Sequence, residues 1–343
     1  MIRPQPRPHA LPAWRRSLAE AVTDPAELLE LLALPIHLLP AARRAAELFG
    51  LRVPRGFVAR MRPGDPEDPL LLQVLPLGRE LDPAPGFTGD PLGEVELESE
   101  RAHRPGLLQK YRGRALLVVT GACAVHCRYC FRRHFPYAES LPGWSGWEET
   151  LRHLATDPGL REVILSGGDP LSVSDGRLEE LVAGIEAIPQ VVRLRIHSRN
   201  PVVLPERVDA RLTGWLRATR LRTVMVVHAN HAREIDDDVR AAFSRLHGAG
   251  VTLLNQSVLL AGVNDSAGAL VALSETLFEA GALPYYLHLL DRVQGAAGFE
   301  VPEERARRVV GEAAARLPGY LVPRLVREVP GAPAKVAVAP VLP

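Results

Sequence analysis

Only three of the 343 residues are cysteine, Cys123, Cys127 and Cys130, and no others occur anywhere in the chain. An odd number at such tight spacing does not build a disulfide framework, so a reducing compartment and metal ligation are favoured. Lysine is scarcer still. Of 41 basic residues only Lys110 and Lys335 are lysine, which leaves 39 arginines. Where positive charge suffices, this chain uses arginine. A retained lysine therefore points to what arginine cannot do, such as losing a proton and forming a Schiff base, with chance retention as the plain alternative. Neither sign of charge dominates: 41 basic and 40 acidic residues leave a net charge of +1, which implies no bulk attraction to nucleic acid or to an anionic membrane. No apolar run approaches the roughly 20 residues that cross a bilayer. The opening MIRPQPRPHALPAWRRSLAEAV lacks the apolar stretch of a secretory signal. A cytoplasmic protein with no membrane or nucleic-acid partner is expected.

What is present divides by texture, and the length allows one to three domains. Residues 1–95 read as helical. Asp24 and Pro25 make a cap and first turn for AELLELLAL, and AARRAAELF has helical periodicity up to a stop at Gly50. Shorter helices are expected at PRGFVARM and PLLLQVL, and DPAPGFTGDPLGE reads as a linker loop. No catalytic cluster is evident here, so a helical cap or oligomerisation element is the expectation. From Arg114 onward short apolar runs appear: ALLVVT (115–120), EVILSG (162–167), RLRIHS (193–198), TVMVVH (223–228), TLLNQS (252–257) and PYYLHLL (284–290). They alternate with helical stretches around 146–155, 177–187, 207–218, 234–248 and 267–280. This pattern predicts an α/β fold whose parallel sheet is wound as βα units. Six units in a row predict a partial (βα)6 TIM-like barrel rather than a short doubly wound sheet. A helix near 302–315, a strand in YLVPRLVREV and the tail PGAPAKVAVAPVLP follow. The expected divisions are 1–95, 96–300 and 301–343.

In a βα barrel the active site lies at the carboxyl ends of the strands. Here those ends lead to Cys123, to Ser166, Gly167, Gly168 and Asp169, to His197, Ser198 and Arg199, to His228, to Gln256, and to His288 with Asp291. A barrel that is only core does not need this many His, Gln and Asp. The spacing Cys-x3-Cys-x2-Cys puts three soft thiolates on one short loop. They cannot complete a tetrahedral zinc site unless His126 or His134 joins them. They can hold three irons of a four-iron cluster and leave the fourth iron open to a ligand.

CAVHCRYC carries the cysteine signature of radical S-adenosylmethionine (radical SAM) enzymes, with the usual aromatic, Tyr129, before the third cysteine. SGGDP (166–170) resembles the glycine-rich motif that follows the second strand in that superfamily. More of the chain, from about 105 to 335, resembles the lysine 2,3-aminomutases. The matching stretches include YRGRALLVVTGACAVHCRYCFRRHF, ILSGGDPL, RIHSRNPVVLPERV, LLNQSVLLAGVND, PYYLHLLD and GYLVPRLVREVPGAPAK. LRVPRGFVARM, PGLLQKYRGRALL and YYLHLLDRVQGAAGF look like the bacterial subgroup, often called EpmB, that makes β-lysine for elongation factor P. With the N-terminal region included, the resemblance covers nearly the whole chain.

The resemblance implies a radical SAM partial barrel with a 4Fe-4S cluster on Cys123, Cys127 and Cys130. It implies SAM chelated at the open iron, with Ser166, Gly167, Gly168 and Asp169 receiving the SAM amino group. It implies pyridoxal 5′-phosphate (PLP) on Lys335, the residue that composition also singles out, with Arg114 and Lys110 at its phosphate. Arg132 falls on the arginine that pairs with the substrate carboxylate, and its planar fork suits two oxygens. Asp291 and Glu328 fall on the two acids that take the far ammonium of lysine, although the free-lysine enzymes have Asp at the second position. Ser198, Arg199, His228 and Gln256 fall among the SAM or PLP neighbours, with a core role as the alternative. The implied reaction converts L-lysine to β-lysine by a 2,3-amino shift. Its implied partners are an electron donor of flavodoxin or ferredoxin type and a ligase that attaches the product to elongation factor P. Free-lysine mutases carry further C-terminal cysteines that bind zinc between subunits. This chain has none, so no structural zinc and a different or looser homo-oligomer are expected. Two other readings stand beside this one. The first is an aminomutase of free lysine or another amino acid, although glutamate's side-chain carboxylate would be repelled by Asp291 and Glu328. The second is an iron–sulfur electron-transfer or scaffold protein, which has no use for Lys335.

Overall fold

The computed structural model describes residues 11–95, 105–141, 143 and 146–343. Seven strands run parallel in sequence order: β2 (Arg114–Thr120), β3 (Glu162–Gly167), β4 (Arg193–Ser198), β5 (Arg222–Val227), β6 (Thr252–Val258), β7 (Leu283–His288) and β8 (Arg324–Arg327). Each of the six crossovers carries a helix: Trp147–Ala155, Asp175–Glu186, Ala210–Ala218, Asp237–Gly248, Ala267–Glu279 and Glu303–Ala314. The expected βα barrel is therefore present, and the strand expected in YLVPRLVREV adds a seventh parallel member. Several crossover helices start where a side chain can cap them. Asp209 accepts from the Arg211 and Leu212 amides, Asp236 from Val239 and Ser266 from Ala269.

The sheet is open, and each edge is finished by an antiparallel hairpin. β1 (Leu107–Leu108) pairs with β2, and β9 (Val336–Ala337) pairs with β8. Tyr111, in the first hairpin, donates to Glu328 in the second, so the two edges meet through side chains rather than through a ladder.

Alternation along the strands separates two environments. Ala115, Leu117 and Val119, Val163 and Leu165, Leu194 and Ile196, and Met225 and Val227 pack on the helices in one core. The opposite parity carries Ser166, His197, His228, Gln256 and His288. Register shifts fall beside two of these positions, between Val118 and Thr120 just ahead of the cysteine loop and between Asn255 and Gln256. Such irregularities re-aim side chains next to active sites.

The N-terminal region forms a second core in which Trp14, Leu28, Phe57, Leu71 and Val74 pack with Ala124 and Val125 of the cysteine loop and with Val203 and Leu204 after β4. It is a cap over that end of the barrel. Its helices Pro25–Leu31 and Leu39–Leu48 lie where periodicity put them, with Asp24 capping the first, and a four-residue helix occupies Arg55–Val58. PLLLQVL departs from expectation. It is a run of turns pinned by Asp68, whose carboxylate accepts from the Leu70 and Leu71 amides. Leu70, Leu71, Val74 and Leu75 are all buried, which leaves no polar face for a helix to turn to water.

Candidate active site

The cysteine loop follows β2 and is held from below by the glycine pair after β3. The Gly168 amide donates to the Thr120 carbonyl at 2.6 Å and the Asp169 amide to the Ala122 carbonyl at 2.8 Å. A Cβ on Gly168 would stand 2.6 Å from the Ala122 oxygen, and Gly167, at φ +117°, would strike the Thr120 oxygen at the same distance. The glycines are thus required because two backbones touch. Asp169 is buried and braces the end of β4: it accepts from Ser198 Oγ (2.7 Å), the Arg199 amide (2.7 Å), the Asn200 amide (3.0 Å) and the Leu171 amide (3.0 Å). Ser198 and Asp169 therefore serve the loop geometry directly.

Arg199 reaches the loop itself. Its Nη1 donates to Cys127 Sγ and to Tyr129 Oη, both at 2.7 Å, and its Nη2 donates to Gln73 Oε1 and Glu234 Oε2. Tyr129 is buried, with its hydroxyl 3.0 Å from His228 Nε2 and accepting from Asn230 Nδ2 at 2.7 Å. Burial, with Arg199 nearby, pushes the His228 pKa well down, so this imidazole is neutral. Between the cysteines, Arg128 is fully buried and pairs with Glu80 at 2.6 Å, and Arg133 reaches the same carboxylate at 2.9 Å. Gln73 and Glu80 belong to the N-terminal region in which no catalytic cluster was expected. No local pattern marks them, because their partners in the site lie 48 to 161 positions away.

The cysteines suit a cluster better than a single ion. His126 turns its Nδ1 to the Gly50 carbonyl at 2.8 Å and stacks on Phe49, and His134 Nε2 lies 3.2 Å from the Gln294 carbonyl. Among the described residues no three His, Cys, Asp or Glu converge on one ion. A four-iron cluster takes each thiolate on a different iron, so one loop with three free thiols and a guanidinium at Cys127 fits it. Burial, and then the Cys127 charge, pushes the Cys130 thiol up to about 11.

Arg132, two residues past Cys130, is buried, and its fork is already filled. Nε and Nη2 donate to the two oxygens of Glu94 at 2.6 and 3.1 Å, while Nη1 donates to Ser166 Oγ at 3.1 Å and the Gly167 carbonyl at 3.2 Å. Lys110 Nζ sits on the same carboxylate at 2.9 Å. Burial would raise the Glu94 pKa, but Arg132 and Lys110 outweigh it and hold the carboxyl down at about 2. Glu94 lies in the stretch that reads as a linker, and sequence reasoning missed it.

Across the opening of the barrel, the hairpin β8–β9 sets Glu328 and Lys335 on facing rungs, and their side chains form an ion pair. Burial pushes Glu328 up; Lys335 and then Tyr111 pull it below the usual carboxylate range. Asp291 beside them is eased by Lys335 and Lys110, but not enough. Burial and the Glu328 charge push it up to about 7. His288 and His197 are half-buried, with Nε2 itself shut off from water and unpartnered, and desolvation holds both neutral, His288 down at about 3. Lys335 contributes to both shifts, so the two imidazoles share the lumen with it. Arg114 stacks over the Tyr111 ring at the same edge, and Gln256 is half-buried opposite Tyr286. A primary amine, two cations at the strand edge and two orphaned imidazole nitrogens are a donor set that fits PLP.

Comparison with known proteins follows this geometry. The radical SAM superfamily pattern matches residues 117–272. The chain is 51% identical over 323 residues to the L-lysine 2,3-aminomutase of Escherichia coli (strain K12), covering 94% of this chain and 93% of that one. It is 46% identical over 326 residues to the L-lysine 2,3-aminomutase of Haemophilus influenzae, with 95% of each chain covered. To the enzyme of that name from Clostridium subterminale it is 32% identical over 330 residues, covering 95% of this chain and 78% of that one.

Proposed function

Because the chain belongs to the L-lysine 2,3-aminomutase family of radical SAM enzymes, we propose that it is an isomerase that converts L-lysine to β-lysine, with a 4Fe-4S cluster, SAM and PLP as cofactors. The observation that carries the substrate is the Lys335–Glu328 pair beside Asp291. Lys335 is itself a primary alkylammonium, so Glu328 already holds the chemical group that ends the lysine side chain, within the field of Asp291.

Cys123, Cys127 and Cys130 would hold the cluster, and the SGGDP turn would face SAM from beneath the same loop. When bound, the cluster and SAM supply a radical that takes a hydrogen atom from the substrate, and PLP carries the migrating nitrogen. The chain's own residues bind and orient. Arg132 and Lys110 offer positive charge to anions, Arg114 does so from the start of β2, and Lys335 offers the amine that anchors PLP. Asp291 and Glu328 would take the ε-ammonium once Lys335 is engaged by the cofactor. The N-terminal cap packs on Ala124 and Val125 of the cysteine loop and shields that side of it from water. His197, His228 and His288 stay neutral, so they can donate or accept a hydrogen bond without adding charge.

The resemblance also supports a role in supplying β-lysine for modification of elongation factor P through a lysyl-ligase, in the cytoplasm, with a flavodoxin or ferredoxin type electron donor. No helix among the described residues is long and apolar enough to cross a membrane. The test of the activity is direct. Reconstituted protein supplied with SAM, PLP and reductant is offered a panel of amino acids, and β-lysine is expected from lysine alone. Turnover of another amino acid in preference to lysine overturns the substrate; no turnover of any overturns the activity.

A further inference from the structure

We infer that Glu94 is a positioning residue that aims Arg132 at the substrate carboxylate and fixes its spacing from Lys110. The inference deepens the aminomutase reading and rests on it.

A guanidinium has five N–H donors. On Arg132, Nε and one Nη2 hydrogen go to Glu94, and the two Nη1 hydrogens go to Ser166 Oγ and the Gly167 carbonyl. One Nη2 hydrogen is left. The side chain therefore offers a substrate one directed donor, not an open fork, and Glu94 decides where that donor points. Lys110 shares the same carboxylate, so the cation expected at the cofactor phosphate and the cation expected at the substrate are tied to one anion.

Glu94 is also held as a fixture. Its amide and that of Val95 donate to the two oxygens of Asp90 at 3.0 and 2.8 Å. A little earlier, the Thr88 amide donates to the Arg292 carbonyl at 3.0 Å, and the Gln294 amide donates to the Thr88 carbonyl at 2.8 Å. The same segment is thus stitched to the loop that carries Asp291. One stretch of chain ties the carboxylate end of the site to the ammonium end, and the length of the substrate is measured between them.

The test is a titration of PLP-loaded protein with lysine, followed by the visible absorption of PLP without SAM or reductant. The parent, E94Q, E94D and R132K are compared. Cadaverine, which is lysine without its carboxylate, is titrated in parallel. E94Q is expected to weaken lysine about tenfold to a hundredfold, as for a lost charge-assisted contact, and to leave cadaverine within about twofold. E94D, which keeps the charge, is expected to lie nearer the parent than E94Q does. Steady-state assays on the same variants should put the larger change in KM. Equal weakening of lysine and cadaverine marks a merely structural role and overturns the inference. Tighter lysine binding by E94Q also overturns it, because Glu94 would then compete with the substrate. If R132K binds lysine like the parent, Arg132 is not the carboxylate partner; the premise and the inference fall together, while β-lysine formation by the parent still judges the activity.

Discussion

The two halves of the site are built differently. Around the cysteine loop every buried charge has a counter-group: Arg128 and Arg133 on Glu80, Arg199 on Cys127, Tyr129, Gln73 and Glu234, and Asp169 on four donors, while Arg133 Nε, Arg199 Nε and Asn200 Oδ1 stay without a partner. Around Lys335 pairing is sparser. His197 and His288 have unpartnered nitrogens, Asp291 is balanced near neutrality, and a single ion pair with Glu328 occupies the lysine. A buried donor without a partner is costly unless a ligand supplies one. The first half is a charge-paired fixture for a cluster, and the second is a set of ionisable groups with capacity left for cofactor and substrate.

The largest way to sharpen this contrast is Lys335→Ala. Loss of β-lysine formation by at least about a thousandfold is expected, as for a removed covalent anchor. The visible PLP band should vanish while the iron–sulfur absorption is unchanged. If iron is lost as well, the two halves are not separable. Next comes Glu80→Gln, on the charge-paired side. It leaves Arg128 and Arg133 buried without a counter-charge, so destabilisation of about 3–5 kcal/mol is expected in denaturant titrations, with loss of bound iron. A stable, iron-replete variant would show that the fixture does not depend on this pair.

The smallest effect is a pH dependence on the Lys335 side. Asp291 is pushed up to about 7 by burial and Glu328. Below that pH it is protonated and only Glu328 is charged; above it both acids attract the ε-ammonium. Lysine affinity is expected to rise about tenfold from pH 6 to pH 8, and the rise should disappear in Asp291→Asn. The facing groups Glu328 and Glu94 lie below the usual range and stay ionised throughout. The neighbouring imidazoles titrate below this window. An unchanged slope in Asp291→Asn would move the titration to the substrate. Stability has the opposite sign. A carboxyl whose folded pKa stands above its unfolded value costs nothing at low pH and its full amount above the folded pKa. Asp291→Asn should therefore stabilise the ligand-free protein at pH 8.

Much of the barrel was legible because its signal is local. EVILSG and RLRIHS coincide with β3 and β4, since short β-branched runs bounded by polar turns have few other solutions. The cysteine spacing and the two lysines were legible for the same reason: the chemistry lies in residue identity. The two-residue strands β1 and β9 were not, because their pairing depends on the neighbouring strand and not on their own pattern. PLLLQVL misled because its apolar content fits a helix, while burial on all sides removed the reason to form one.

The sequence alone determined that this chain winds βα units, gathers three thiolates on one loop and keeps a lysine near its end for chemistry only an amine performs. Tertiary structure decided what those groups face. Arg132 has the residue type of an open carboxylate fork, yet Glu94, 38 positions away, takes two of its donors and Ser166 and Gly167 take two more. Lys335 and Glu328 meet because a hairpin sets them on facing rungs, and Tyr111 joins them from 217 positions away. Side-chain type is written in each residue. The free energy of a buried charge depends on its counter-charge, and only folding brings the two together.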